Sequence, residues 1–317
     1  MATAQDIGSA ASEIRQGGLV AFPTETVYGL GANALDANAV AQIFEMKGRP
    51  RFDPLIVHIA DVGQLDALVK DVPPLAKPLI EQFWPGPLSL VLEKQDCVPE
   101  IVTAGLSSVA IRFPAHEMAQ ALIRAAGAPL AAPSANRFGR VSPTRADHVS
   151  QQFGDQLTVL DGGPCRVGLE STVVSFVEID PGQPVVLRPG GITMEQIEAV
   201  IGPLKSRTKE DSRPSSPGQL SSHYSPATPL VLAEEGFSPA GENRVGLLSY
   251  QRPLQSERFS VVEVLSEQGC PREAAVKLFA ALHRLDALNL DQIVAWPVPE
   301  AGLGRAIMDR LRRAAAK

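Results

Sequence analysis

The densest group of cations capable of chemistry lies in KGRPRFDPLIVHI, where Lys47, Arg49 and Arg51 fall within five residues. They end a helix-like segment, so they could simply favour the helix dipole in solvent. Gly48 and Pro50 would instead fix a turn that projects them in a defined way, and arginine forks match phosphate oxygens. An anion site is the functional expectation. PTETVYGL (23–30) offers the hydroxyls of Thr24 and Thr26, which could also cap a short helix. PLAAPSANRFGRVSPT (129–144) brings Ser134, Asn136 and Ser142 into a long polar loop, a turn or a site. Arg112 in VAIRFP and Arg188 in VVLRPGG interrupt apolar strands, where an arginine needs a carboxylate or a ligand anion. His58 in LIVHI is either a core histidine or a site residue. No G-x-x-x-x-G-K-[ST], strand-linked G-x-G-x-x-G, H-E-x-x-H or G-x-S-x-G occurs.

These residues need elements to hold them. Residues 19–22, 55–59, 88–92, 109–113 and 172–176 read as strands. Residues 36–46 read as a helix capped by Asp36 and closed by Gly48, with Val40, Ile43 and Phe44 buried; 117–126 and 195–201 are similar. Strands interleaved with helices predict an α/β domain over residues 1–204. Residues 205–229, KSRTKEDSRPSSPGQLSSHYSPATP, contain seven Ser and four Pro and predict a linker or lid. Residues 230–317 predict a smaller α/β unit, with strands at 229–232, 245–248, 261–264 and 293–296, a helix at about 272–288 and a final helix from Gly304.

A length of 317 residues suits two domains. Lys+Arg 29 against Asp+Glu 35 gives a net charge of −6, which argues weakly against a dedicated nucleic-acid binder. Hydrophobic residues at 44% exclude disorder as the main state, and aromatics at 5% argue against a broad base-stacking surface. No apolar run is long enough for a membrane span, and the start lacks a secretory pattern. Cys97, Cys165 and Cys270 are odd in number and far apart, so neither a disulfide framework nor a zinc knuckle is expected, and a cytoplasmic location is the simplest reading.

PTETVYGLGANA, KGRPRFDPLIVHI, FWPGPLSLVL, SSVAIRFP, APSANRFGRVSPT, GLESTVVSF and LRPGGIT follow one another in order. Together they closely resemble the YrdC-like domain of threonylcarbamoyl-AMP synthases. SPGQLSSHYSP and the tail VPEAGLGRAIMDRLRRA resemble the two-domain type of that family. The resemblance implies a twisted open α/β sheet with a basic cavity, plus a small Rossmann-like C-terminal domain. It implies synthesis of L-threonylcarbamoyl-AMP from L-threonine, bicarbonate and ATP with magnesium, releasing pyrophosphate. Downstream proteins would then modify tRNA beside the anticodon, and the chain itself could touch tRNA weakly.

The resemblance places Lys47 and Arg49 as catalytic cations. It places Lys47, Arg49, Asp53, Ser108, Ser134, Asn136, Ser142, Arg188 and Tyr224 on the nucleotide side. Thr26, His58, Arg112, Ala132 and Thr172 match the threonine side, and no protein side chain is assigned to metal. Asp53 stands where the family often carries Asn; an acid there repels phosphate unless it bonds ribose or magnesium. His223 and Tyr224 are the functional side chains of the expected lid. A double-stranded-RNA or tRNA-binding module is the alternative reading, separated by whether threonine-dependent pyrophosphate release occurs without RNA. A carbamoyl transferase of the hydrogenase-maturation type is a further one, which the lack of a paired C-x-x-C disfavours.

Overall fold

Short aliphatic runs make ten strands of one mixed sheet: β1 (Val20–Phe22), β2 (Gly29–Asn33), β3 (Ile56–His58), β4 (Leu88–Glu93), β5 (Ser108–Arg112), β6 (Leu130–Ala131), β7 (Thr158–Val159), β8 (Thr172–Ser175), β9 (Val185–Arg188) and β10 (Lys205–Ser206). Their order is β10-β9-β8-β4-β5-β3-β6-β2-β1-β7. The structure is a computed structural model that describes residues 2–177, 183–206, 223–235, 237, 244–254 and 256–316. β3 runs parallel to β5 and β4 antiparallel to it, while β8 runs parallel to β4.

Side chains alternate across a strand, so this register gives the sheet two different faces. On one face Val57, Leu90, Leu92, Ile111, Val174 and Val186 enter the largest apolar core. The helices Ala37–Lys47 and Ala76–Phe83 cover that core with Val40, Ile43, Phe44, Leu79 and Ile80. On the other face Ile56, Val91, Ala110, Val173, Val185 and Leu187 form a small cluster of their own. Laterally paired residues share a face, and His58↔Arg112 and Ser89↔Arg112 are such pairs. The second face therefore carries the polar residues that the strands deliver.

Asp36 caps the helix Ala37–Lys47, accepting from the amides of Asn38 and Ala39, and Gly48 closes it in the left-handed region at φ 62°. The buried positions are 39, 40, 43, 44 and 47, so Lys47 occupies the next place on the apolar stripe. PTETVYGL forms no helix. The Thr24 hydroxyl instead braces a bend, donating to the Val27 carbonyl at 2.6 Å and accepting from the amides of Thr26 and Val27. The first unit also runs past the expected boundary at 204, because Lys205–Ser206 pairs with β9.

The second unit is an all-parallel four-stranded sheet of β11 (Leu230–Leu232), β12 (Val245–Ser249), β13 (Val261–Val264) and β14 (Gln292–Ala295), ordered β11-β14-β12-β13. The helices Pro271–Asp286 and Leu303–Ala315 pack on it, as a Rossmann-like unit requires. The two units share apolar surface: Val27, Val141 and Leu169 of the first belong to the same cluster as Leu278, Phe279 and Leu282 of the second. At Gly168, in the left-handed region at φ 73°, a Cβ would lie 2.5 Å from the Val276 Cα. Only glycine allows this closeness. Residues 207–222 of the expected linker lie outside the described residues. Among the described residues no helix is long and apolar enough to cross a membrane.

Candidate functional site

The polar face of the large sheet is the floor of a cavity whose space, counted out into the solvent at its mouth, is about 510 Å³. Its walls come from the 24–29 bend, the 132–134 loop, the Glu170–Ser171 segment and, from the segment that leads into the second unit, His223 and Tyr224. Arg49, Arg112 and Arg188 all reach it. Each is buried, and each is already held by protein groups.

Arg112, at the end of β5, lies beside His58 of β3. Its guanidinium donates to the Thr26 hydroxyl at 2.8 Å and forms an ion pair with Glu25 at 2.8 Å. The Thr26 hydroxyl is also 2.8 Å from that of Thr24. Burial, aided by Arg112, pushes the His58 imidazole down to about 3, so it is neutral at physiological pH. Its Nδ1 is buried without a hydrogen-bond partner. Ala132 also lines the cavity, as a small side chain in its wall. Thr172, expected on the threonine side, does not line the cavity: its hydroxyl donates to the Ile192 carbonyl and accepts from the Ile192 amide at 3.0 Å. It ties β8 to the loop that follows Arg188.

Arg49 donates to the carbonyls of Asp53 at 3.1 Å and Pro54 at 2.8 Å, and forms an ion pair with the Asp53 carboxylate at 2.9 Å. Asp53 is fully buried and does not line the cavity; its role is to hold Arg49. Burial raises the Asp53 carboxyl, against the pull of Arg49, Lys47 and Arg188. Lys47 also stands behind the wall. Its ammonium donates to the carbonyls of Ser134, at 2.6 Å, and Asn136. Burial, with Arg49 adding to it, holds the Lys47 ammonium well below the usual lysine range. The Asn136 amide donates to the carbonyls of Arg137 and Arg140, so Lys47 and Asn136 together shape the loop that presents Ser134 to the cavity. Arg51 is exposed.

Arg188 donates to the Ser171 carbonyl at 2.8 Å and hydroxyl at 3.1 Å, and the Ser171 hydroxyl meets that of Ser89 at 2.8 Å. Ser142 does not line the cavity but donates to Glu170, which does, at 2.7 Å. Ser108 is not gathered in: it starts β5, about 13 Å along the strand from Arg112, on the same face. Tyr224, at φ 64°, is buried with its hydroxyl unpartnered, and its ring meets that of His223 at 4.1 Å.

Sequence reasoning missed Glu25, Glu170, Ser171 and Arg310. The first three stand inside segments that drew attention for their neighbours. Arg310 had a readable signal, since it falls among Ala306, Ile307, Leu311 and Ala314 on the apolar stripe of its helix, as Lys47 does on its own.

Residues 12–190 match the family described as "Telomere recombination", and residues 192–316 match "Threonylcarbamoyl-AMP synthase, C-terminal domain". The threonylcarbamoyl-AMP synthase of Bacillus subtilis (strain 168) is 46% identical over an alignment covering 98% of this chain and 92% of that protein. The structure of P. abyssi Sua5 complexed with L-threonine is 43% identical, with a TM-score of 0.91 over 99% of this chain and 95% of that one. E. coli YciO, 23% identical with a TM-score of 0.52 over 60% of this chain and 91% of its own, shares the fold. Two family matches end to end and relatives alike over nearly their whole length place this chain in the threonylcarbamoyl-AMP synthase family.

Proposed function

We propose that this protein makes L-threonylcarbamoyl-AMP from L-threonine, bicarbonate and ATP, releasing pyrophosphate. The observation that carries the reading is one cavity lined both by Thr26, His58 and Arg112 and by Arg49, Ser134 and Arg188. Arg112 suits a substrate carboxylate, because its fork matches two oxygens. The threonine amine and bicarbonate combine with loss of water to a carbamate. A carbamate oxygen then forms a bond to the α-phosphorus, the Pα–O–Pβ bond breaks, and pyrophosphate leaves with the electron pair. No protein nucleophile is needed; the site positions the reactants and stabilises charge.

Arg49 and Arg188 face the phosphates as the stabilising cations, and Lys47 fixes the Ser134 loop beside them. Tyr224 closes the nucleotide side together with His223. Magnesium enters only with the nucleotide. The nearby carboxylates Glu25, Asp53 and Glu170 are each committed to an arginine, and no group of three or more His, Cys, Asp or Glu among the described residues could hold a metal. They do not fit a resident metal site. The product is a labile mixed anhydride, and tRNA-threonylcarbamoyl transfer proteins are its expected consumers.

The test is pyrophosphate release from ATP by the pure protein with and without threonine and bicarbonate. Release that needs both substrates, without RNA, is expected. R49A should lower it by roughly 10²-fold or more. Near-normal turnover in R49A, or release indifferent to threonine, would overturn the assignment.

A further inference from the structure

Arg310 is among the largest fully buried side chains of the described residues, yet it lies outside the cavity and belongs to the second unit. Its Nε donates to the Glu170 carboxylate at 3.0 Å, across 140 residues of sequence. One terminal nitrogen donates to the Pro189 carbonyl at 2.6 Å and to Asp309 at 2.9 Å. Its guanidinium carbon sits 5.4 Å from the centroid of the Tyr224 ring, and Phe279 stacks against that ring at 5.5 Å. Arg310 thus touches two cavity residues, Glu170 and Tyr224, and the peptide immediately after Arg188.

A carboxylate such as Glu170 is out of place in a wall meant for phosphates, since a bare anion there repels the ligand. Arg310 and the Ser142 hydroxyl each take one of its oxygens. We propose that Arg310 is a positioning residue for the nucleotide side of the cavity. It neutralises and aims Glu170 and seats the Tyr224 ring, so the cavity is complete only when the second unit is docked. This rests on the reading of the cavity as an ATP site. The charged and titratable groups facing Glu170 are Arg310, Arg188 and the Tyr224 hydroxyl. Burial alone would raise the Glu170 carboxyl; Arg310 first and Arg188 next outweigh it and hold it below its usual range.

The experiment measures ATP binding to the full chain at equilibrium, without threonine, so that it is independent of turnover. The variants are R310M, E170Q/R310M and R310K, with circular dichroism to establish folding. R310M strips the counter-charge from Glu170 and should weaken ATP binding by about tenfold. The weakening should lessen as the pH falls from 8 to 6, because the uncompensated carboxyl takes up a proton. E170Q/R310M should recover most of the loss and lose the pH dependence, which a merely structural role for Arg310 would not produce. R310K, with the charge but not the fork, should fall between wild type and R310M. A double variant no better than R310M, or a folded R310M that binds ATP like wild type, overturns the proposal. If R310M does not fold, R310Q and E170Q/R310Q, which also remove the charge, carry the same comparison with the same two outcomes. Wild-type protein that binds ATP but releases no pyrophosphate with threonine would instead count against the proposed reaction alone.

Discussion

His58 illustrates how one side chain links site and stability. Unfolded, it takes up a proton near its ordinary value of 6.5; in the folded chain burial delays this to about 3. His148, stacked on His283 at 3.9 Å, is likewise pushed down, to about 4, by burial and then by His283. Between these limits the unfolded chain binds more protons than the folded one. The neutral imidazoles therefore contribute fully above pH 6.5, and the contribution is lost as pH falls toward 3. Urea denaturation between pH 7.5 and 5 should show falling stability, and H58Q should reduce the slope by up to roughly 1.4 kcal/mol per pH unit. An unchanged slope in H58Q would mean that His58 is not held neutral by the fold.

Strands and helices with strong apolar patterns were legible in the chain. The helix Ala37–Lys47, with its Asp36 cap and Gly48 stop, and the helix Glu117–Ala126 lie where the spacing predicts them. The two-residue strands β6, β7 and β10 were not, because such short segments carry no periodicity of their own and exist through pairing. The same limit explains the site: Arg112 and Arg188 were marked by charge in an apolar strand, whereas their partners Glu25 and Ser171 are ordinary polar residues in loops. Gly168 is another case, meaningful only once the helix Pro271–Asp286 lies against it. G168A places a methyl group 2.5 Å from the Val276 Cα and forces a left-handed alanine. It should cost at least about 2 kcal/mol. Differential scanning calorimetry would read this as a lowered melting temperature; a melt like wild type would show that the units yield easily at this point.

At the scale of the whole molecule the two units share an apolar cluster and a cavity wall. A chain ended after Ser206 loses His223, Tyr224 and Arg310 and bares Val27, Val141 and Leu169. It should bind a hydrophobic dye and lose most threonine-dependent pyrophosphate release; full activity with no dye binding would reduce the second unit to a passenger. The internal ion pairs of the cavity have a broader effect. Cells are crowded with inorganic phosphate, sulfate and simple carboxylates, any of which would lodge beside a bare guanidinium. Here Arg49 and Arg112 already carry Asp53 and Glu25 as built-in companions. A small anion gains little by competing with them, whereas a ligand that also engages the neighbouring hydroxyls and rings gains much. Paired in this way, the two guanidiniums offer a lone small anion less than bare ones would.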